Sequence, residues 1–135
     1  MSDIIQGSAE WHALRCGRVT ASRVADVVAK TKSGWGASRA NYAAELIAER
    51  LTGEPSERFT NAAMQWGTDH EPDARAAYEF FRDAAVVEIG FVDHPSIAMT
   101  GASPDGLVGE DGLVEIKCPN TATHLDTLLS QTVPA

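Results

Sequence analysis

Cysteine is scarce in this 135-residue chain, which has only Cys16 and Cys118. That excludes a disulfide framework and any zinc or iron–sulfur centre built from cysteine alone. Both read as reduced, partly buried thiols. Long apolar runs are also lacking, so no segment is suited to cross a bilayer as a helix. The N-terminus has no secretory-leader pattern. Together these absences predict an intracellular, cytoplasmic protein. Basic charge is short as well. Lys and Arg number 11 against 19 Asp and Glu, a net charge of −8. A general electrostatic affinity for nucleic acid is therefore not expected. A local basic lining remains compatible with that charge, and carboxylates gathered to bind cations are acidic by nature. Internal repeats and low-complexity tracts are absent.

What is present supports a packed core. Hydrophobic residues make up 44% of the chain, enough for one compact domain over residues 1–135. Ser8 starts a helix carrying Trp11, Leu14 and Arg15, and Gly17 stops it. Thr20 or Ser22 caps a second helix through Val24, Val27 and Val28. Lys30 to Gly36 reads as a mobile, basic, glycine-rich loop. Ser38 caps a third helix with a stripe of Tyr42, Leu46, Ile47 and Leu51, ended by Gly53. A polar loop at 54–60 leads to a long helical stretch from Asn61 to Ala84. Pro72 inside it marks a kink or a new start. Val86 to Val92, Ile97 to Gly101 and Leu113 to Lys117 read as strands. Asn120 or Thr121 caps a last helix with Leu125, Leu128 and Leu129. Helices, then strands, then a helix give an α+β fold with a small sheet.

The chemistry concentrates between Ser103 and Lys117. Ser103-Pro104-Asp105-Gly106 has the residues of a type I turn. The glycine- and acid-rich stretch from Gly106 to Gly112 predicts a hairpin or wide turn, which brings Asp105 beside Glu115. On a strand, Glu115 and Lys117 share one face, while Val114 and Ile116 face the core. Two carboxylates and an ammonium then converge, a set suited to a divalent cation of the magnesium class. Either half alone is ordinary: a turn, or a solvated face with a weak ion pair. Glu71, on the long helix, could complete the cluster or merely pair with Arg75 at i+4. His70 competes as a ligand, but a magnesium-like site prefers oxygen. His12, His94 and His124 have no partner spacing. Arg15 alone reads as a surface arginine, and Thr20 and Ser22 as caps. Together they could present a guanidinium, hydroxyls and helix-start amides to a phosphate.

The aspartate and Glu-x-Lys at this spacing resemble the PD-(D/E)XK nucleases. The wider pattern resembles the lambda exonuclease and YqaJ-type viral recombinase nucleases. It runs from Trp11-His12-Ala13-Leu14-Arg15-Cys16-Gly17 through Thr20-Ala21-Ser22 to Trp66-Gly67, Glu71 and Asp73-Ala74-Arg75. It closes with Ser103-Pro104-Asp105-Gly106 and Glu115-Ile116-Lys117-Cys118-Pro119. The resemblance implies a restriction-endonuclease-like core that digests double-stranded DNA from 5′ ends, in phage-type recombination in a bacterial or infected host cell. It implies metal ligation by Glu71, Asp105, Glu115 and the Ile116 carbonyl, with two Mg²⁺ or Mn²⁺ ions. Lys117 would orient or activate the water. Arg15, Thr20, Ser22 and Ser103 would bind DNA phosphates. A homotrimer around DNA and a single-strand-annealing protein are the implied partners. Two departures stand out. The family's further helix with a Gln-x-x-x-Tyr pattern has no match, so the chain reads as incomplete at its C-terminus, after Val133-Pro134-Ala135. Thr123 also stands in the region where the lambda member has an arginine. Two rivals keep some of these residues: an endonuclease of repair or restriction, and a DNA-end-binding module that does not cleave.

Overall fold

The computed structural model describes residues 4–56 and 60–133. Residues 57–59 of the expected loop, and Pro134 and Ala135, lie outside the described residues. In chain order the elements begin with α1 (Ala9–Arg15), β1 (Val19–Thr20), a 3-10 turn (Ala21–Arg23) and α2 (Val24–Val28). Then come β2 (Lys30–Thr31), β3 (Gly34–Trp35), α3 (Ala37–Thr52) and α4 (Ala62–Arg82). The rest is β4 (Val86–Val87), β5 (Val92–Asp93), β6 (Thr100–Ala102), β7 (Gly106–Val108), β8 (Gly112–Val114) and α5 (Thr121–Ser130). The fold is α+β, with short strands in small sheets. The chain contacts divide it into two units. One comprises Met1–Glu57 with Ile89–Pro104, the other Arg58–Glu88 with Asp105–Ala135.

In the first unit, β6 lies between β1, to which it is parallel, and β5, to which it is antiparallel. Phe91 is buried against Gly101, where an added Cβ would stand 2.3 Å from the ring. Only glycine permits that approach. Helix α1 begins at Ser8, whose hydroxyl accepts from the Trp11 amide, as its capping role requires. The chain then turns through Gly17 in the left-handed region at φ +70°. Helix α3 grips this turn from both sides. Glu49 accepts from the Gly17 amide at 2.6 Å, and Arg50 Nε donates to the Gly17 carbonyl at 2.7 Å. Tyr42, the buried member of the expected stripe, receives the Thr20 amide on its hydroxyl at 3.2 Å. Ile47 and Leu51 of the same stripe are exposed.

Two local expectations change here. Lys30 to Gly36 is not a loop but the β2–β3 hairpin, with Lys30 opposite Trp35. The Trp35 ring is covered by the Arg39 guanidinium at 3.8 Å. Helix α3 starts at Gly36 rather than Ser38, because the Gly36 amide closes the hairpin onto the Ala29 carbonyl at 2.8 Å. The helix begins where the hairpin ends.

In the second unit, β7 lies between β4 and β8, antiparallel to both. Helix α4 runs through Pro72 without a break. Its cap is Asn61, whose side chain accepts from the Met64 amide. Pro72 is exposed, so water can serve the carbonyl that its missing N–H leaves free. Asn120 caps α5 by accepting from the Thr123 amide. The expected strand from Val86 to Val92 is divided into β4 and β5, which belong to different sheets. Glu88 is tied to Arg75 at 2.9 Å, and the Gly90 carbonyl accepts from the Trp11 indole at 2.9 Å. The two anchored residues, Glu88 and Gly90, lie between β4 and β5.

Candidate active site

The second unit holds Glu71, Asp105, Glu115, Ile116 and Lys117. The β7–β8 hairpin pairs Gly106 with Val114 and Val108 with Gly112. The last pair of that ladder, Gly106 with Val114, adjoins Asp105 on one strand and Glu115 on the other. The ladder itself stops at Val114, so Glu115 to Lys117 is not strand. The reason is local. Asp105 Oδ2 accepts the Ile116 amide at 2.6 Å, taking the donor that a further strand pair would use. Glu115 and Lys117 still lie together, with the ammonium 2.6 Å from Glu115 Oε1. Both side chains are more than half exposed. The Lys117 pKa is raised, first by this bond, and Asp105 adds to it.

Glu71 answers to both readings of it. Its carboxylate receives Arg75 at 2.7 Å, the i+4 pair, and Arg75 also holds Glu88. Yet the Glu71 pKa is raised rather than lowered. Burial is the largest cause, and the negative charge of Asp105 is the next. Arg75 is therefore not sufficient to offset burial and a neighbouring carboxylate. Such a pair of carboxylates is what a bound cation would relieve. Cys118 adds to the picture. Its thiol pKa is raised by burial and then by the charges of Glu71 and Asp105.

The donor set thus fits a hard divalent ion: it offers carboxylate oxygens, and the charge of Asp105 is felt at Glu71. Among the described residues, no three of His, Cys, Asp and Glu already form a metal-sized group. Glu115 is engaged with Lys117 instead. The raised Glu71 pKa has a consequence for stability. The unfolded carboxyl titrates near 4.5, and the folded one above it. Stability from this group is therefore lost as pH rises through that window, and the loss is complete above the folded pKa. Without metal, Glu71→Gln should melt at or above wild type at pH 7, and the two should converge near pH 4. Thermal melting at both pH values checks this. A wild type that melts higher at pH 7 would mean that the Arg75 pair outweighs burial and repulsion.

The first unit holds Arg15, Thr20, Ser22 and Ser103. Arg15 is buried, not a surface residue as its sequence context alone reads. Its guanidinium lies 3.9 Å above the Trp11 ring, and Nη1 donates to Ser103 Oγ at 3.3 Å. The Trp11 indole donates to the same hydroxyl at 3.0 Å. The two donors fix Ser103 Oγ as an acceptor toward the protein, which leaves its own proton to point elsewhere. Thr20 is buried at the cap position of the 3-10 turn but makes no side-chain cap bond. Its hydroxyl instead lies 3.2 Å from that of Ser22. The structure therefore joins Arg15 with Ser103, and Thr20 with Ser22.

Three residues matter more than their sequence context indicates. Trp11 carries Arg15 and Ser103, and its i,i+4 spacing to Arg15 is the visible signal. Arg75 bridges Glu71 and Glu88. Glu49 holds the Gly17 turn that separates Arg15 from Thr20, and no spacing in the sequence points to it.

The sequence matches the YqaJ-like viral recombinase domain over residues 10–135. Among solved structures it is similar to an alkaline exonuclease, LHK-Exo, from Laribacter hongkongensis. Identity is 56%, with a TM-score of 0.80 over 93% of this chain. The same exonuclease in complex with dAMP matches equally well. The chain spans 61% of the length of that exonuclease. No curated protein sequence matches. A family match across nearly the whole chain, with the Ser-Pro-Asp-Gly and Glu-x-Lys-Cys-Pro blocks inside it, places the chain in the YqaJ-like viral recombinase domain family.

Proposed function

We propose that residues 1–135 form one nuclease domain that hydrolyses double-stranded DNA from its 5′ ends in phage-type recombination. The observation that carries this reading is Asp105, bonded to the Ile116 amide at 2.6 Å, next to a Glu115–Lys117 pair also 2.6 Å apart. Its setting adds support, since the chain is 56% identical to an alkaline exonuclease. Glu71, Asp105, Glu115 and the Ile116 carbonyl would hold Mg²⁺ or Mn²⁺, two ions in the working site. The ions, when bound, supply positive charge that favours deprotonation of water and offsets charge on the scissile phosphate.

The chain's own groups do the rest. Asp105 ties its carboxylate to the Ile116 amide, which fixes the backbone between Glu115 and Lys117. Lys117 orients the attacking water and steadies the phosphorane-like charge. Water attacks phosphorus in line and gives its proton to solvent, the bond to the 3′-oxygen breaks, and solvent protonates that oxygen. Glu115 keeps the ammonium in place through their 2.6 Å contact. Arg15, Thr20, Ser22 and Ser103 bind backbone phosphates. Arg15 is presented by its stack on Trp11. The partners of this reading are duplex DNA ends, a single-strand-annealing protein and two further copies in a ring, in the cytoplasm of a bacterial or infected host cell. Among the described residues, no helix is long and apolar enough to cross a membrane.

The test is digestion of linear duplex DNA with the divalent ion varied. Mg²⁺ and Mn²⁺ should support cleavage, and Ca²⁺ should support binding without it, because in-line geometry at such a centre is demanding. Full cleavage in excess chelator would overturn the metal-dependent reading.

A further inference from the structure

Helix α3 carries the buried carboxylate of Glu49, which the proposed reaction does not use. Its Oε2 accepts the Gly17 amide at 2.6 Å, and its Oε1 accepts the Ser56 amide at 2.9 Å. Both oxygens are thus turned to backbone N–H groups. Tyr42 lies about two turns earlier on the same face of α3. Its hydroxyl accepts the Thr20 amide at 3.2 Å and donates to the Arg18 carbonyl at 3.4 Å. Arg50 donates to the Gly17 carbonyl at 2.7 Å, and an added Cβ at Gly17 would stand 2.6 Å from Arg50 Cγ. Cys16 Sγ reaches the Glu49 carbonyl at 3.6 Å. Cys16, Gly17, Arg18 and Thr20 are therefore all bonded to α3.

We propose that Glu49 is a positioning residue for recognition of the substrate's terminal phosphate: through the Gly17 turn it sets where Arg15 stands relative to Thr20 and Ser22. The inference rests on the nuclease reading and names what places its phosphate-binding groups. Arg15 is the last residue of α1, and Thr20 is the cap of the 3-10 turn that follows. Only Cys16 to Val19 lies between them. A glycine in the left-handed region is the softest point of such a link, because it loses the most backbone freedom on folding. Holding it takes a fixed partner, which α3 supplies. A carboxylate suits that task. Two converging N–H donors need two acceptors, and an ionised carboxylate offers acceptors only. Glutamine serves one amide and turns its own NH₂ on the other. Misplacement by about 1 Å can cost on the order of a hundredfold even when it arises far from the chemistry. A buried group that touches no substrate can therefore govern which ends are preferred.

The test is steady-state digestion, in Mg²⁺, of linear duplexes that differ only in carrying a 5′-phosphate or a 5′-hydroxyl. Glu49→Ala should raise KM for the phosphorylated ends by roughly three- to tenfold, the range of one hydrogen bond. Its kcat and its KM for hydroxyl ends should not change. Glu49→Gln should recover part of the loss, since its one oxygen still accepts the Gly17 amide. Tyr42→Phe keeps the ring in the core and loses only the hydroxyl on Arg18 and Thr20. It should raise the same KM, and it carries the test if Glu49→Ala unfolds. A merely structural role would lower the active fraction, and hence kcat, on both ends alike. That result, or an unchanged KM for phosphorylated ends in the folded variants, would overturn the positioning role. The nuclease reading would survive it, because wild type still digests linear DNA. No digestion by wild type would overturn both.

Discussion

Asp105→Asn and Lys117→Ala should each lower the rate of DNA hydrolysis by at least about a hundredfold, the lower range for a positioned catalytic group. Stability should barely change. The Lys117 side chain is 52% exposed, and its pair with Glu115 is a surface pair worth about 0–1 kcal/mol. Asparagine at 105 retains an oxygen that can accept the Ile116 amide, so the Glu115–Lys117 backbone stays held. Alanine there would free that amide and confuse a structural loss with a chemical one. Initial rates on linear duplex, taken beside melting temperatures, separate the two effects. Normal cutting by both variants would return Glu115 and Lys117 to a solvated ion pair.

Arg15→Ala should weaken action on 5′-phosphorylated ends far more than on 5′-hydroxyl ends. The difference should be about 1.5–3 kcal/mol, the worth of a hydrogen bond to a charged group. The structure sharpens this expectation. Arg15 is buried, stacked on Trp11 and bonded to Ser103, so its removal also costs packing and leaves Ser103 with one donor fewer. A loss of packing acts on both substrates alike. The ratio between phosphorylated and hydroxyl ends cancels it and reads only the phosphate contact. Arg15→Lys should recover part of the charge but not the planar stack, so its ratio should fall between the two. Equal loss on both ends would make Arg15 a general backbone contact, and no loss would confine it to packing.

Helices were legible in the sequence where a side chain signals its own backbone. Ser8 and Asn120 cap α1 and α5 as their positions predict, and Gly53 ends α3 in the left-handed region. The β7–β8 hairpin was legible for the same reason, since glycine and acid at the turn leave few alternatives. Distant partners decided the rest. Nothing near Val86 to Val92 announces that Arg75 and Trp11 will hold Glu88 and Gly90 between two separate strands. Lys30 to Gly36 carries turn residues, and only the pairing of Lys30 with Trp35, closed by the Gly36 amide on Ala29, makes it a hairpin.

The candidate site shows the same division. The hairpin whose end adjoins Asp105 and Glu115 follows from a short local turn. The strand character of Glu115 to Lys117 does not, because the Asp105 side chain takes the Ile116 amide first. Glu71 sat between an i+4 pair and a place near the other carboxylates, and the two are compatible. The pair with Arg75 exists while Asp105 still raises its pKa. Arg15 was the hardest to read, because an arginine beside apolar residues gives no sign of burial until its tryptophan and serine are in place.

Time-resolved digestion of matched linear and covalently closed circular duplex DNA in Mg²⁺ tests the central claim most directly. Acid-soluble nucleotide is followed on both substrates, with Asp105→Asn in parallel. The linear duplex should be consumed from its 5′-phosphorylated ends, the circle should stay closed, and Asp105→Asn should release almost nothing from either. Cutting of the circle at a comparable rate, or release by Asp105→Asn equal to wild type, would contradict the account.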